Sequence, residues 1–116
     1  MRYMLLIYGA EKDWAGMSDD QRGRIMQDYM SFTDGIRKSG HYVAGDALQD
    51  TTTATTVRAH NGKPASTDGP FAETREQLGG FYIIKAANLD EATEIAARVP
   101  SAKWGSIEVR PVLEMA

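Results

Sequence analysis

The chain has 116 residues, of which 42% are hydrophobic and 25% are charged, as is typical of one soluble globular domain. Its formal charge of −3 argues against a nucleic-acid or anionic-membrane surface, which needs a basic stripe. Because it contains no cysteine, disulfides, thiolate catalysis and thiolate metal sites are excluded too. We therefore expect a single domain over residues 1–116.

The N-terminal apolar run, residues 3–8, is followed by Gly9 and by the charged residues 11–13. It is shorter than a signal peptide's apolar region with its cleavage site, and far shorter than a membrane span. Together with the lack of cysteine, this predicts a cytoplasmic protein with no membrane partner.

The first third of the chain predicts a central strand and a long helix. Residues 1–8 predict a strand, and residues 3–8 of it are apolar at odd and even positions alike, as in a strand buried on both faces; residues 9–16 predict a loop. Ser18-Asp19-Asp20-Gln21 has the form of a capping box, and Gly40 marks the end of the helix that follows. We expect its methionines to fill gaps in the core. Two neighbouring stripes run along this helix: Ile25, Tyr29, Phe32 and Ile36, and beside them Arg22, Met26, Met30 and Thr33.

The middle of the chain predicts an edge strand and a β-hairpin. Residues 41–48 form a weaker strand, because Gly45 and Asp46 interrupt it. The pair Asn61-Gly62 is the strongest short hairpin signal, and residues 53–60 and 63–67 flank it with β-prone, largely polar sequence. These residues predict an exposed ribbon.

The remainder of the chain predicts a connection, a strand, a helix and a last strand. Residues 67–80 combine an Asp-Gly-Pro turn, a charged segment and a Gly-Gly pair, and lead into a strand at residues 81–86 that is apolar on both faces. Asn88 caps the second helix and Pro100 ends it. Residues 106–112 form the last strand, apolar on one face only.

The predicted order is two strand-helix-strand units with a hairpin inserted between them. This is an α+β class fold, a ferredoxin-like βαβ-βαβ sheet with both helices on one face. The first and third principal strands are apolar on both faces, yet two helices can cover only one. A second copy of the chain, packed sheet against sheet with two-fold symmetry, would cover the other face. The alternative is that the hairpin folds back over it.

Several stretches together carry a family resemblance. The most specific is Thr67-Asp68-Gly69-Pro70-Phe71-Ala72-Glu73-Thr74, supported by residues 1–8, 43–48, 76–82 and 105–111. On these residues the chain resembles the YCII-related superfamily, in its DGPF-domain branch, over nearly its whole length.

The resemblance implies a dimeric α+β barrel built from two ferredoxin-like protomers. It also implies an association with extracytoplasmic-function sigma factors, since members of the branch often accompany them. Elsewhere in the superfamily a His–Asp pair has been viewed as catalytic, and one relative is a dehydrochlorinase acting on a chlorinated hydroquinone. In such relatives the histidine lies in the first helix, whereas the helix predicted here contains none.

Two aspartates are the candidate catalytic residues. Asp68 precedes Gly69-Pro70, where its side chain can bond backbone amides, cap a short segment starting at Pro70, or stand at a pocket mouth as a base or ligand anchor. Asp46 lies within a strand, where a carboxylate needs a partner. Arg75 or Arg110 would form a structural ion pair with it, and a substrate contact is the alternative.

Four more residues are candidate substrate-binding groups, each with a structural alternative. Glu73 and Arg75 lie on the charged connection, where such residues are usually solvated. Tyr8 ends the first strand and is either ligand-facing or a core or interface residue. His41 follows the helix end and is either a surface or capping residue or a site residue.

The sequence contains no metal-ligand cluster and no nucleotide-binding fingerprint, so we expect no metal and no cofactor. The predicted function is the binding, or acid/base transformation, of a small polar or aromatic metabolite in a pocket between the sheet and the first helix. The alternative is a regulatory module that docks on a sigma factor without catalysis. The sequence does not decide whether the protein is an enzyme.

Overall fold

The computed structural model describes residues 1–115 and shows an α+β fold. The principal sheet contains four strands: β1 (Arg2–Gly9), β2 (Tyr42–Ala47), β5 (Gln77–Lys85) and β6 (Ser106–Pro111). The hairpin between β2 and β5 contains β3 (Thr55–His60) and β4 (Lys63–Asp68). The order across the principal sheet is β2-β5-β1-β6, and all neighbours are antiparallel. The two strands predicted to be central are central, and the two weaker strands lie at the edges.

The helices are α1 (Glu11–Ala15), α2 (Asp19–Lys38) and α3 (Leu89–Ala97), with 3-10 turns at Thr51–Thr53 and Pro100–Lys103. The two predicted caps are confirmed. Ser18 Oγ accepts a hydrogen bond from the Gln21 amide (3.1 Å), and the Gln21 side chain accepts one from the Ser18 amide (3.0 Å). At the start of α3, Asn88 Oδ1 accepts from the Glu91 amide (2.9 Å).

The prediction of a plain loop over residues 9–16 is wrong, because α1 forms there. The amide of Glu11 at the start of this short helix donates to Gln77 Oε1 (2.9 Å). This partner lies 66 residues away. A helix terminus satisfied by so distant a side chain has no local cap to indicate it.

The core lies between the helices and one face of the sheet. Tyr3 and Leu5 of β1 pair with Ile84 and Tyr82 of β5, so these four side chains share that face. All four are buried, as is Ile36 of α2. The inward residues of α3 and the turn after it complete the core: Ala92, Ile95, Ala96 and Val99. Both long helices therefore cover the same side of the sheet.

The methionine prediction is wrong for α2. Met26 is 51% exposed and Met30 is 71% exposed. Tyr29 and Phe32 of the neighbouring stripe pack against the core instead. A helix lying on a single sheet face buries one stripe, so its second apolar stripe is left at the surface.

Gly105 and Gly35 allow a paired test of this packing. A Cβ on Gly105 would overlap the carbonyl oxygen of Tyr8, whereas one on Gly35 would meet nothing within 4 Å. We expect Gly105→Ala to destabilise the fold by about 1–3 kcal/mol, as overpacking does. Gly35→Ala, in an exposed part of α2, should stabilise it by about 1 kcal/mol. Urea unfolding measures both, and changes of the same sign would contradict the described packing.

Candidate functional site

The face of the principal sheet turned away from the helices is apolar and uncovered within residues 1–115. Because side chains alternate along a strand, the residues between the buried ones point to this side. They are half-buried, since only their strand neighbours shield them. We call this surface the open face, and its central residues are Met4, Leu6 and Tyr8 of β1 with Leu78, Phe81 and Ile83 of β5.

Polar residues lie along the two edges of the open face. Asp46 of β2 pairs with Phe81, and Glu108 of β6 pairs with Leu6, so these four form one row across the sheet. Arg110 Nη2 donates to Glu108 Oε2 (3.3 Å). The apolar centre is thus bounded by a lone carboxylate on one edge and an ion pair on the other.

Asp46 is exposed, and in the described part of the chain its side chain forms no ion pair or hydrogen bond. The predicted structural ion pair with Arg75 or Arg110 is therefore wrong, because Arg110 binds Glu108 on the opposite edge strand. Tyr8 shares the open face with Asp46, two strands away, which corresponds to roughly 10 Å across the sheet. Of the predicted site residues, these two lie together on the open face.

Asp68, Glu73 and Arg75 lie near the sheet end where Tyr8 is found, and all three are exposed. Asp68 is the last residue of β4, and no helix follows it, so the predicted capping of a short helical segment is wrong. The turn is instead made by the backbone of Gly69, which has φ 97° and whose amide donates to the Ala54 carbonyl (2.7 Å). Within residues 1–115, the Asp68 carboxylate has no hydrogen-bond partner.

His41 lies at the opposite end of the sheet, beside the start of α3. Its Nδ1 is 2.7 Å from Ser39 Oγ, and its Nε2 is 3.2 Å from Glu91 Oε1. Glu91 Oε1 also accepts from the Ala87 amide (3.0 Å). His41 therefore joins the end of α2 to the start of α3, and the structure does not bring it to Asp46 or Tyr8.

A polar network that sequence reasoning missed holds the connection, residues 67–80, against the sheet. The Glu11 carboxylate accepts from the Thr51 amide (2.7 Å) and from Thr51 Oγ1 (2.5 Å). Glu76 Oε1 accepts from Ser106 Oγ (2.7 Å). These partners are 40 and 30 residues apart along the chain, so no local pattern in the sequence could have indicated them.

Tyrosines fill the space between the sheet and α2, where the pocket was predicted. The rings of Tyr82 and Phe32 pack edge to face, with centroids 5.3 Å apart. The Tyr82 hydroxyl lies 2.7 Å from Thr33 Oγ1, and the Tyr29 hydroxyl bonds Ser101. Burial raises the pKa of both Tyr29 and Tyr82 above the ordinary value. The remaining candidate surface is the open face.

Two absences are observed over residues 1–115. No three or more His, Asp or Glu side chains lie close enough together to hold a metal ion. No helix is both long enough and apolar enough to cross a membrane.

Comparison with known sequences places the chain in a family. The sequence model of the YCII-related domain matches residues 1–116. The chain belongs to the YCII-related family. It is also similar to a protein of Rhizobium meliloti (strain 1021) described as uncharacterized, with 39% identity over 114 residues. That match covers 97% of this YCII-related chain and 92% of the relative.

The side-chain hydroxyls of Tyr29 and Tyr82 are shielded from water by the packing around them, and we therefore expect the folded protein to lose stability at high pH. The pKa values of Tyr29 and Tyr82 are raised in the folded protein. Their contribution to the free energy of unfolding is therefore complete below the ordinary pKa of about 10, and it is lost as the pH rises through the raised values. Urea unfolding at pH 8 and pH 11 should show this loss, and Tyr82→Phe should reduce it. Tyr8→Phe is the control, because it keeps both buried phenols. An equal pH dependence in all three proteins would contradict the assignment.

Proposed function

We propose that two copies of this YCII-related chain pack with their open faces together and bind a small polar or aromatic metabolite in the hollow between them. The proposal rests on one observation: one apolar face of the principal sheet is not covered by any other part of residues 1–115. In this proposal each protomer is ferredoxin-like and the pair is a dimeric α+β barrel. The Asp68-Gly69-Pro70-Phe71 stretch supports placing the chain in the DGPF branch of the family.

The shape of the chain supports a second copy as the cover. The molecule measures 47 × 46 × 19 Å, the thickness of one sheet with one helical layer. The two strands of the hairpin pack on each other and not on the sheet, so the hairpin does not cover the open face. A continuous apolar surface of this kind is rare in a monomer, and a self-complementary two-fold contact is the commonest way to bury one.

The residues on the open face favour a ligand with an apolar or aromatic body and a polar group. Leu6, Phe81 and Ile83 offer apolar contacts, and Tyr8 offers a ring with a hydroxyl. Asp46 offers a carboxylate without a protein partner, able to accept a hydrogen bond or a proton from the ligand. Asp68, Glu73 and Arg75 are proposed to border the mouth of the hollow. The chemistry would be acid/base chemistry in a cytoplasmic protein.

The dimer has a direct test in solution. The single chain has a mass of 12.8 kDa, and we expect light scattering after gel filtration to give twice that mass. Phe81→Asp should shift the protein to the single-chain mass, because it places a charge at the centre of the buried contact. Met30→Asp is the matched control on the outer face of α2 and should remain dimeric. Circular dichroism checks that both variants are folded. If Phe81→Asp does not fold, Phe81→Ala takes its place in the same measurement.

A wild-type protein with the mass of one chain at micromolar concentration would refute the dimer. Equal masses for the Phe81 and Met30 variants would show that the open face is not the contact.

The metabolite site is tested by a thermal-shift screen of polar and aromatic metabolites against the dimer. For any ligand that binds, we expect Asp46→Asn to weaken binding by about 10- to 100-fold, the loss of one charge-assisted hydrogen bond. Asp28→Asn makes the same charge change on an exposed part of α2 and should leave the affinity unchanged. Calorimetric titration measures both, and equal affinities would contradict the role of Asp46.

A second candidate function is docking on a protein partner, with an extracytoplasmic-function sigma factor as the partner that the family resemblance suggests. One observation favours it: Met26 and Met30 expose an apolar stripe on α2, away from the open face. The Met30→Asp variant separates the two proposals, since it would impair docking on a purified sigma factor and leave the metabolite site intact.

A further inference from the structure

The hairpin β3–β4, residues 55–68, projects from the body of the protein, and we call it the arm. Beyond its base it packs against neither the sheet nor the helices. All of its residues are exposed except Thr56, which is half-buried. The base is fixed, because the Gly69 amide donates to the Ala54 carbonyl (2.7 Å) and Thr56 Oγ1 donates to the Gly69 carbonyl (2.8 Å).

The arm is regular from base to tip. Its six residue pairs run without a register shift from Thr55–Asp68 to His60–Lys63. At the tip, Asn61 and Gly62 have φ values of 51° and 77°, as a tight two-residue hairpin turn requires. A two-stranded ribbon alone in water is at best marginally stable, so a regular one without a partner points to a surface outside the chain.

The two sides of the arm differ in chemistry. By the pairing register, Val57, Ala59 and Pro64 share one side with Ser66, and with Thr55 and Asp68 at the base; Val57 is 62% exposed. Arg58, His60 and Lys63 share the other side. One side is therefore suited to packing on another surface and the other side to approaching negative charge.

The distribution of charge along the chain indicates which surface the arm packs against. The formally charged side chains of the arm are Arg58, Lys63 and, at its base, Asp68, a net charge of +1, whereas the whole chain carries −3. The body without the arm is therefore more acidic than the whole, and it includes the exposed Asp20 at the start of α2, next to Asp19, which is ion-paired with Arg22. Opposite net charges attract the arm of one copy toward the body of another at long range, and the Val57 side, which carries no cation, is the side available for packing.

We propose that each arm packs its Val57 side against the body of the second copy and so clasps the dimer reciprocally. The inference rests on the proposed dimer, because it names a further contact within that assembly. It also explains how a 14-residue ribbon can stay regular beyond its base, where the rest of its own chain does not pack against it. By two-fold symmetry each arm makes the same contact with the other copy. Both arms are therefore used within one dimer, and the contact cannot propagate into a filament.

Photo-cross-linking in the full-length protein tests the contact directly. Benzoylphenylalanine placed at position 57 is mixed with isotopically heavy wild-type chain, and the subunits are allowed to exchange. We expect light–heavy adducts between position 57 and the body of the other copy. A probe at position 58, on the opposite side of the same strand, is the matched control and should give at least fivefold fewer such adducts.

Shortening the arm gives an independent measurement. Deleting residues 57–60 and 63–66 keeps the Asn61-Gly62 turn and the Thr56–Thr67 pair that closes it. We expect the dimer to persist with a dissociation constant at least tenfold higher, measured by analytical ultracentrifugation over a dilution series. The double variant Arg58→Gln and Lys63→Gln keeps the ribbon, and should weaken the dimer less and reduce its salt dependence.

The outcomes separate the two proposals. A full-length chain that is monomeric refutes both the dimer and the clasp. A dimer with only intramolecular adducts at position 57, or with none, refutes the clasp alone, because the arm is then free or serves another partner. An unchanged dissociation constant in the shortened variant refutes it as well.

Discussion

The structure depends on one constraint: an antiparallel sheet has two faces, and the helices of this chain cover one. Side chains alternate strictly along a strand, so β1 and β5, which are apolar at nearly every position, present apolar surface to both sides. Leu5 is fully buried under the helices, while its neighbour Leu6 is only half-buried on the open face. Whatever covers Leu6 shapes any ligand site, because Tyr8 and Asp46 lie on the same surface.

The polar groups of this protein divide into two kinds. Glu11, Glu76 and Gln77 are bonded to distant partners and hold the hairpin base and the connection against the end of the sheet. Asp46 and Asp68 have no such partner within residues 1–115. Carboxylates satisfied within the fold stabilise it, whereas carboxylates left free beside an apolar surface are available to a ligand or to another chain. This contrast makes Asp46 a better candidate than the residues that are merely charged and nearby.

Local signals in the sequence predicted most of the fold and little of the site. Ser18, Asn88 and Asn61-Gly62 act on residues next to them in the chain, so their elements could be placed without the structure. The start of α1 depends on Gln77, and the position of the connection depends on Glu76 and Ser106, which only folding brings together. His41 was considered as a site residue because it follows the end of α2 and could approach the second strand, and the fold places it at the other end of the sheet, next to Ser39 and Glu91.

By itself, the sequence determined the principal strands and the two longer helices, their order and the presence of an apolar surface that two helices cannot cover, because these follow from periodicity and composition. The tertiary structure decided which stripe of α2 is buried, that tyrosines fill the space beneath that helix, and that the hairpin packs on itself and does not cover the open face. It also decided that Arg110 bonds Glu108 and leaves Asp46 alone. The physical reason is that these outcomes depend on distances between residues far apart in the chain, which no local pattern encodes.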